Sequence, residues 1–225
     1  FHMGGFFGAA SRKSCKYDVF FGTDYHSHLG TKRGGLAFYD PDKGFQRQIH
    51  NIENTPFRTK FESDLEKFSG CYGLGCISDT DPQPLLVRSH LGLFAISTVG
   101  IITNAEELVE KTFSGPGYQF MAMSSGKVNA TELTAALINR CDNLIDGIRY
   151  AQAAIEGSCT ILILNQDGLI AARDSMGRLP IVIGQGEKGC CAAMESFACQ
   201  KLGYQPCYNL GPGEIVRVTP DGWQQ

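Results

Sequence analysis

Runs of apolar and β-branched residues bounded by Gly, Pro, Asn and Asp recur along the chain, at 34–39, 73–77, 85–88, 91–96, 99–103, 159–164, 168–172, 180–184 and 214–219. Each has the length and flanking turn residues of a strand. TILILNQDGLIAARD (160–174) is two such runs around a turn at Asn165–Gly168, which predicts an antiparallel hairpin. SHLGLFAISTVGIIT (89–103) is a second candidate hairpin.

Helical periodicity is confined to three places. NAEELVEKTF (104–113) has an Asn in the cap position, acids in its first turn, and Leu108 and Thr112 on one face. The stretch 129–157 is long enough for two helices, with Leu133, Leu137, Ile138 and Cys141 on one stripe and Ile145, Ile148 and Ala151 or Gln152 on the next. MESFACQKLGY (194–204) is the third, ending at Gly203. Strands, then helices, then strands again predict an α+β layered architecture. No repeat, low-complexity tract or linker interrupts the chain, so 1–225 is expected to be one domain.

Composition narrows the function classes. The 225 residues are 43% hydrophobic and 19% charged, with a net charge of −3 and no basic run, which argues against a nucleic-acid partner. The longest apolar stretch, Leu91–Ile102, is broken by Gly, Ser and Thr and is far short of the roughly 20 residues that cross a bilayer. The start FHMGGFFGAA has no basic region leading into an apolar core, so a cytoplasmic protein is expected, its natural chain beginning at Met3 behind Phe1 and His2. Nine cysteines are an odd number in a chain that can bury a core unaided, and reduced thiols are the simplest reading. Strand alternation would send Cys190 and Cys191 to opposite faces.

Motifs with their own chemistry are few. SSGKV (124–128) lacks the first Gly and the final hydroxyl of a phosphate loop. His26 and His28 would share a face on a strand, but no third ligand stands at a telling distance, so neither a metal nor a cofactor is expected. Asn129-Ala130-Thr131 matches a glycosylation sequon only incidentally in a chain without a signal peptide. Glycines are more informative. MGGFFG puts small and apolar residues where termini are usually polar and loose, which predicts a buried start. GTKRGGLAFYD (30–40) and YGLGCISDTDPQPLLV (72–87) join turns to strands.

Taken in order, MGGFFG, HLGTKRGG (28–35), GLGCISDT (73–80), DPQPLLV (81–87), STVGIITNAEEL (97–108), RDSMGRLPIVIG (173–184), MESFACQKLGY (194–204) and GPGEIVRV (211–218) resemble the glutaminase domain of class II glutamine amidotransferases, most closely that of the amidophosphoribosyltransferases. The similarity covers nearly the whole chain. It implies a four-layer αββα N-terminal-nucleophile fold, with two antiparallel sheets between helical layers. It also implies a mechanism in which an N-terminal Cys thiolate attacks the glutamine amide, its own amino group moves the proton, and ammonia leaves. In the family a phosphoribosyltransferase domain follows. Here the chain stops at Gln225, so that partner is expected in the same or a separate chain, within a homo-oligomer.

The chemical positions depart from the family. The nucleophile falls at Gly4, beside Gly5, and the Arg after the early His falls at Leu29. The Arg that holds the substrate carboxylate falls at Ser78, its Tyr neighbour at Asp79, and the Asp that holds the amine at or beside Ala130. The His-Asn of the oxyanion segment becomes Thr98 and Val99, with only Gly100 kept. Asp79 in place of a cation would repel an α-carboxylate. The sequence therefore predicts a degenerate amidotransferase domain without glutaminase activity, acting as a structural or regulatory partner or binding a small amino-acid-like ligand. The alternative is an active amidohydrolase with a relocated nucleophile, Cys76 foremost, with Cys71 upstream and Ser78, Ser97 or Thr98 as further candidates.

Overall fold

A computed structural model describes residues 4–114, 123–124 and 127–225; the expected start at Met3 lies outside them. The first half forms β1 (Gly4–Ser11), α1 (Lys16–Asp24), β2 (Arg33–Asp40), β3 (Gly44–Asn51), α2 (Phe57–Phe61), β4 (Tyr72–Ser78), β5 (Leu85–Ser89), β6 (Gly92–Ile102) and α3 (Ala105–Phe113). It continues through β7 (Met123–Ser124), β8 (Lys127–Val128), α4 (Ala130–Ile138), α5 (Leu144–Ala154), β9 (Gly157–Asn165) and β10 (Gly168–Ala172). It ends with β11 (Val182–Gly186), β12 (Gly189–Ala193), α6 (Ser196–Lys201), β13 (Gln205–Asn209), β14 (Ile215–Thr219) and β15 (Gly222–Gln224).

Two antiparallel sheets carry the structure. One has the order β13-β11-β12-β1-β4-β2-β3 and the other β15-β14-β10-β9-β6-β5. Phe6, Leu74 and Cys76 of the first meet Ala95, Val99, Leu162 and Leu164 of the second in the core between them. On the outer face of the first sheet, Phe7, Leu36 and Phe38 pack against Val19, Phe20, Phe57 and Ala198 from α1, α2 and α6. On the outer face of the second, Phe94, Ile96 and Ile161 pack against Leu108, Leu133, Leu137 and Ile148 from α3, α4 and α5. The four layers anticipated from the sequence are therefore present.

β1 lies at the middle of its sheet and is buried at every position, as the apolar start predicted. Alternation sends Phe6 to the inter-sheet core and Phe7 to the helical layer, and separates Cys190 from Cys191 in the same way. The hairpin at 160–174 forms as expected, with Asn165 opposite Gly168. The stretch 129–157 divides into α4 and α5, and Asn129 caps the first by accepting from the Glu132 amide at 2.8 Å.

Other expectations need correcting. The 91–96 and 99–103 runs are one continuous strand, β6; the hairpin partner is β5, and the turn lies at His90–Leu91. Gly100 extends through this strand rather than breaking it. Asn104 sits in the cap position of α3 but directs its side chain elsewhere, donating to the Ala154 carbonyl and accepting from the Glu156 amide. His26 precedes a short turn (27–29) that contains His28, and neither lies on a strand; His26 meets the Gly22 carbonyl through Nδ1, and His28 meets Glu195. No helix among the described residues is long and apolar enough to cross a membrane.

Edge strand β3 is tied down by one buried carboxylate. Asp64 accepts from His50 Nε2 at 2.6 Å and from Lys67 Nζ at 3.0 Å. Burial pushes its pKa up, but the His50 and Lys67 contacts together outweigh this and hold it below the usual carboxylate range. A depressed pKa stabilises the fold above the unfolded-state value and is lost as pH falls through the folded one. Asp64→Asn should therefore be less stable than the parent at neutral pH, with the difference in urea midpoint closing below about pH 4. A gap independent of pH would contradict this linkage.

Candidate functional site

Strand register builds the site. Ser78 of β4 lies opposite Gly4 of β1 on one side and Arg33 of β2 on the other, so the three form one row at the end of the first sheet. Cross-strand partners share a face. Counting by twos from Phe6, Cys76 and Ala37 places that row on the face turned toward the second sheet. β6 and the start of α4 close this end from the other sheet, and the β4–β5 connection crosses it. That connection passes so near β2 that a Cβ on Gly35 would lie 1.8 Å from the Gln83 carbonyl oxygen.

The polar groups here largely satisfy one another. Gln83, buried, accepts through Oε1 from the Ser97 hydroxyl at 2.7 Å and the Thr98 amide at 2.8 Å, and donates through Nε2 to Ser78 Oγ at 3.3 Å. Thr98 and Thr131 share a hydroxyl hydrogen bond of 2.8 Å. Asp81 accepts from the Ala130 and Thr131 amides at 3.1 and 3.4 Å, satisfying orphan donors at the start of α4 where a negative charge also meets the positive end of the helix dipole. Asp79 accepts from the Thr31 and Lys32 amides at 2.6 and 3.1 Å. Arg33 Nη1 donates to the Thr80 carbonyl at 2.8 Å. The loop is thus pinned to both sheets through its own acids and amide.

A cleft of about 600 Å³ opens beside this network, between the 32–33, 79–81, 100–102 and 127–130 segments. Of the positions singled out from the sequence, Asp79, Gly100 and Ala130 line it. Ser78 and Thr98 lie in the buried network behind it, and Val99 is in the inter-sheet core. Leu29 packs on the opposite face of β1, where an added Cβ on Gly5 would lie 2.7 Å from its Cδ1. Gly4 has φ +123°, a conformation that side chains rarely adopt, and a Cβ there would lie 2.2 Å from the Ile77 carbonyl oxygen. The Asp79 charge, expected to face a ligand, is engaged with the backbone of the 30–32 loop. Sequence reading passed over Arg33, Lys32 and Lys127, because their convergence depends on long-range strand order; the RGG motif was the only signal at hand.

Cys76 is fully buried beside Ser97 and Gly35, and burial pushes its thiol up to about 12. The hydrogen bonds from those two neighbours lower it only in part, and no cation is among its influences.

A sequence profile described as a glutamine amidotransferase domain matches residues 61–199. The chain belongs to this family. Among curated relatives of this amidotransferase domain, the amidophosphoribosyltransferase of Methanocaldococcus jannaschii is 27% identical, over 96% of this chain and 47% of its own length. That of Escherichia coli is 24% identical, over 98% and 47%. The chain therefore spans about half the length of the curated relatives it matches. The glutamine phosphoribosylpyrophosphate amidotransferase of B. subtilis, solved with ADP and GMP, shares the fold with a TM-score of 0.84, 23% identity and coverage of 98% of this chain and 48% of its own. This likeness carries the two-sheet N-terminal-nucleophile architecture and no more.

The burial of Cys76 has a measurable consequence. Under native, mildly alkaline conditions iodoacetamide should leave it unmodified, with alkylation at full rate only after denaturation, as read by peptide mass mapping. Rapid native labelling would contradict its placement.

Proposed function

We propose that this amidotransferase domain keeps the glutaminase scaffold without its chemistry, hydrolysing no glutamine and acting as a structural, regulatory or small-ligand-binding domain beside a phosphoribosyltransferase domain in the same or a separate chain. The observation that carries this reading is Gly4. In the family resemblance that position supplies the attacking thiolate; here there is no functional group, and the backbone leaves no room for one, since a Cβ would meet the Ile77 carbonyl. The changes at Ser78, Ala130, Leu29 and Val99 support the same reading, because groups that would clamp a substrate and stabilise an oxyanion are replaced by short or apolar side chains.

A relocated nucleophile at Cys76 is the second reading. Against it stand a thiol held protonated by burial and the absence, among the described residues, of a base or cation influencing it. Ser97 and Thr98 are equally unsuited, since both hydroxyls are engaged with Gln83 or Thr131 and neither bonds to a His among the described residues. The length of the relatives supports the partner domain. A further solved neighbour, described as the allosteric regulatory enzyme of purine biosynthesis, supports a setting in an amidophosphoribosyltransferase-like protein.

Labelling with a glutamine-analogue electrophile that alkylates activated nucleophiles tests this. The intact protein should gain no mass, and Gly4→Cys should not restore labelling. Stoichiometric labelling of the parent at any one peptide would overturn the reading.

A further inference from the structure

The geometry points to a carboxylate-binding site in the cleft at the end of the sandwich, with the Arg33 guanidinium as its anchor. This inference rests on the reading of the cleft as a retained ligand site. Arg33 lies in the same row and on the same face as Ser78 and Gly4, one strand over from the position where the family resemblance places the substrate-binding Arg. Adjacent strands are about 4.8 Å apart, so a long side chain on β2 reaches the space that a shortened one on β4 vacates. Nη1 is held by the Thr80 carbonyl, which anchors one nitrogen of the guanidinium. Its other N–H groups have no partner among the described residues, and a planar fork of this kind matches a carboxylate.

None of the three carboxylates that line the cleft forms an ion pair with that cation. Asp79 and Asp81 each accept two backbone amides. Glu53, the remaining carboxylate at the cleft, accepts from Asn51 Nδ2 at 3.0 Å. Lys32 and Lys127 also line the cleft and pair with no carboxylate among the described residues. Ile101, half exposed at 51%, supplies an apolar wall for a short carbon chain. Ala130 presents a methyl at the cleft, and the neighbouring Asp81 spends one carboxylate oxygen on the Ala130 and Thr131 amides. The volume of about 600 Å³ is that of a small-molecule site. The ligand this chemistry selects is a short aliphatic carboxylate with no requirement for an α-amino group.

The test is binding of glutarate, L-glutamine and inorganic phosphate to the whole chain by thermal shift and calorimetry. Glutarate should stabilise the protein in a salt-sensitive way, more than either comparison compound. Arg33→Met should weaken it about tenfold or more, with partial recovery in Arg33→Lys. If Arg33→Met does not fold, the paired change of exposed Lys32→Ala and Lys127→Ala should still weaken glutarate several-fold at low salt. No glutarate binding, binding unaffected by these changes, or phosphate binding as tightly as glutarate would each overturn the site. Electrophile labelling of the same samples reports on the nucleophile separately, so an active glutaminase and an absent carboxylate site give different results.

Discussion

Burial of β1 on both faces constrains everything else in this molecule. A strand with sheet core on one side and helices on the other admits only side chains that fit each layer. GGFFGAAS meets that demand with two rings at adjacent positions and small residues around them. Its first described residue, Gly4, is also where the proposed reading places the family's nucleophile. Gly4 lies tight against the Ile77 carbonyl of β4, so close sheet pairing and a reactive side chain compete for one volume.

The same trade recurs across the site. Ser78, Gln83, Ser97, Thr98 and Thr131 spend their polar atoms on one another, while Asp79 and Asp81 spend theirs on backbone amides of a loop and a helix start. Buried polar groups that are mutually satisfied stabilise a unique arrangement and are poor nucleophiles and poor ligand contacts. Among the described residues at the cleft, Lys32, Lys127 and the rest of the Arg33 fork are left without a carboxylate partner. The end of the sandwich therefore has a polar interior closed on itself and a cleft lined by charges of both signs.

Much of the fold was legible in the sequence, for particular reasons. The hairpin at 160–174 carries both alternation and a turn signal, and the helices between 130 and 154 carry an apolar stripe and two Asn caps. α1 went unnoticed because its buried face is Val19, Phe20, Gly22 and Thr23, only two of them large and apolar, while Tyr17 is exposed. β3, a half-exposed edge strand reading GFQRQIHN, offers no apolar alternation, and β12, GCCAA, is buried without β-branched residues. At the site, the Arg33–Ser78–Gly4 row was not legible, since it exists only once β2 pairs with β4 and β4 with β1, over some forty to seventy positions of chain. The capture of Asp79 by the 30–32 loop was hidden for the same reason.

The central claim is that the scaffold has outlived its hydrolytic chemistry, and glutamate release from saturating L-glutamine by the purified protein tests it most directly. The account predicts release no faster than in buffer alone. Steady release proportional to protein concentration, and abolished by substituting a single Cys, Ser or Thr near the cleft, would contradict it.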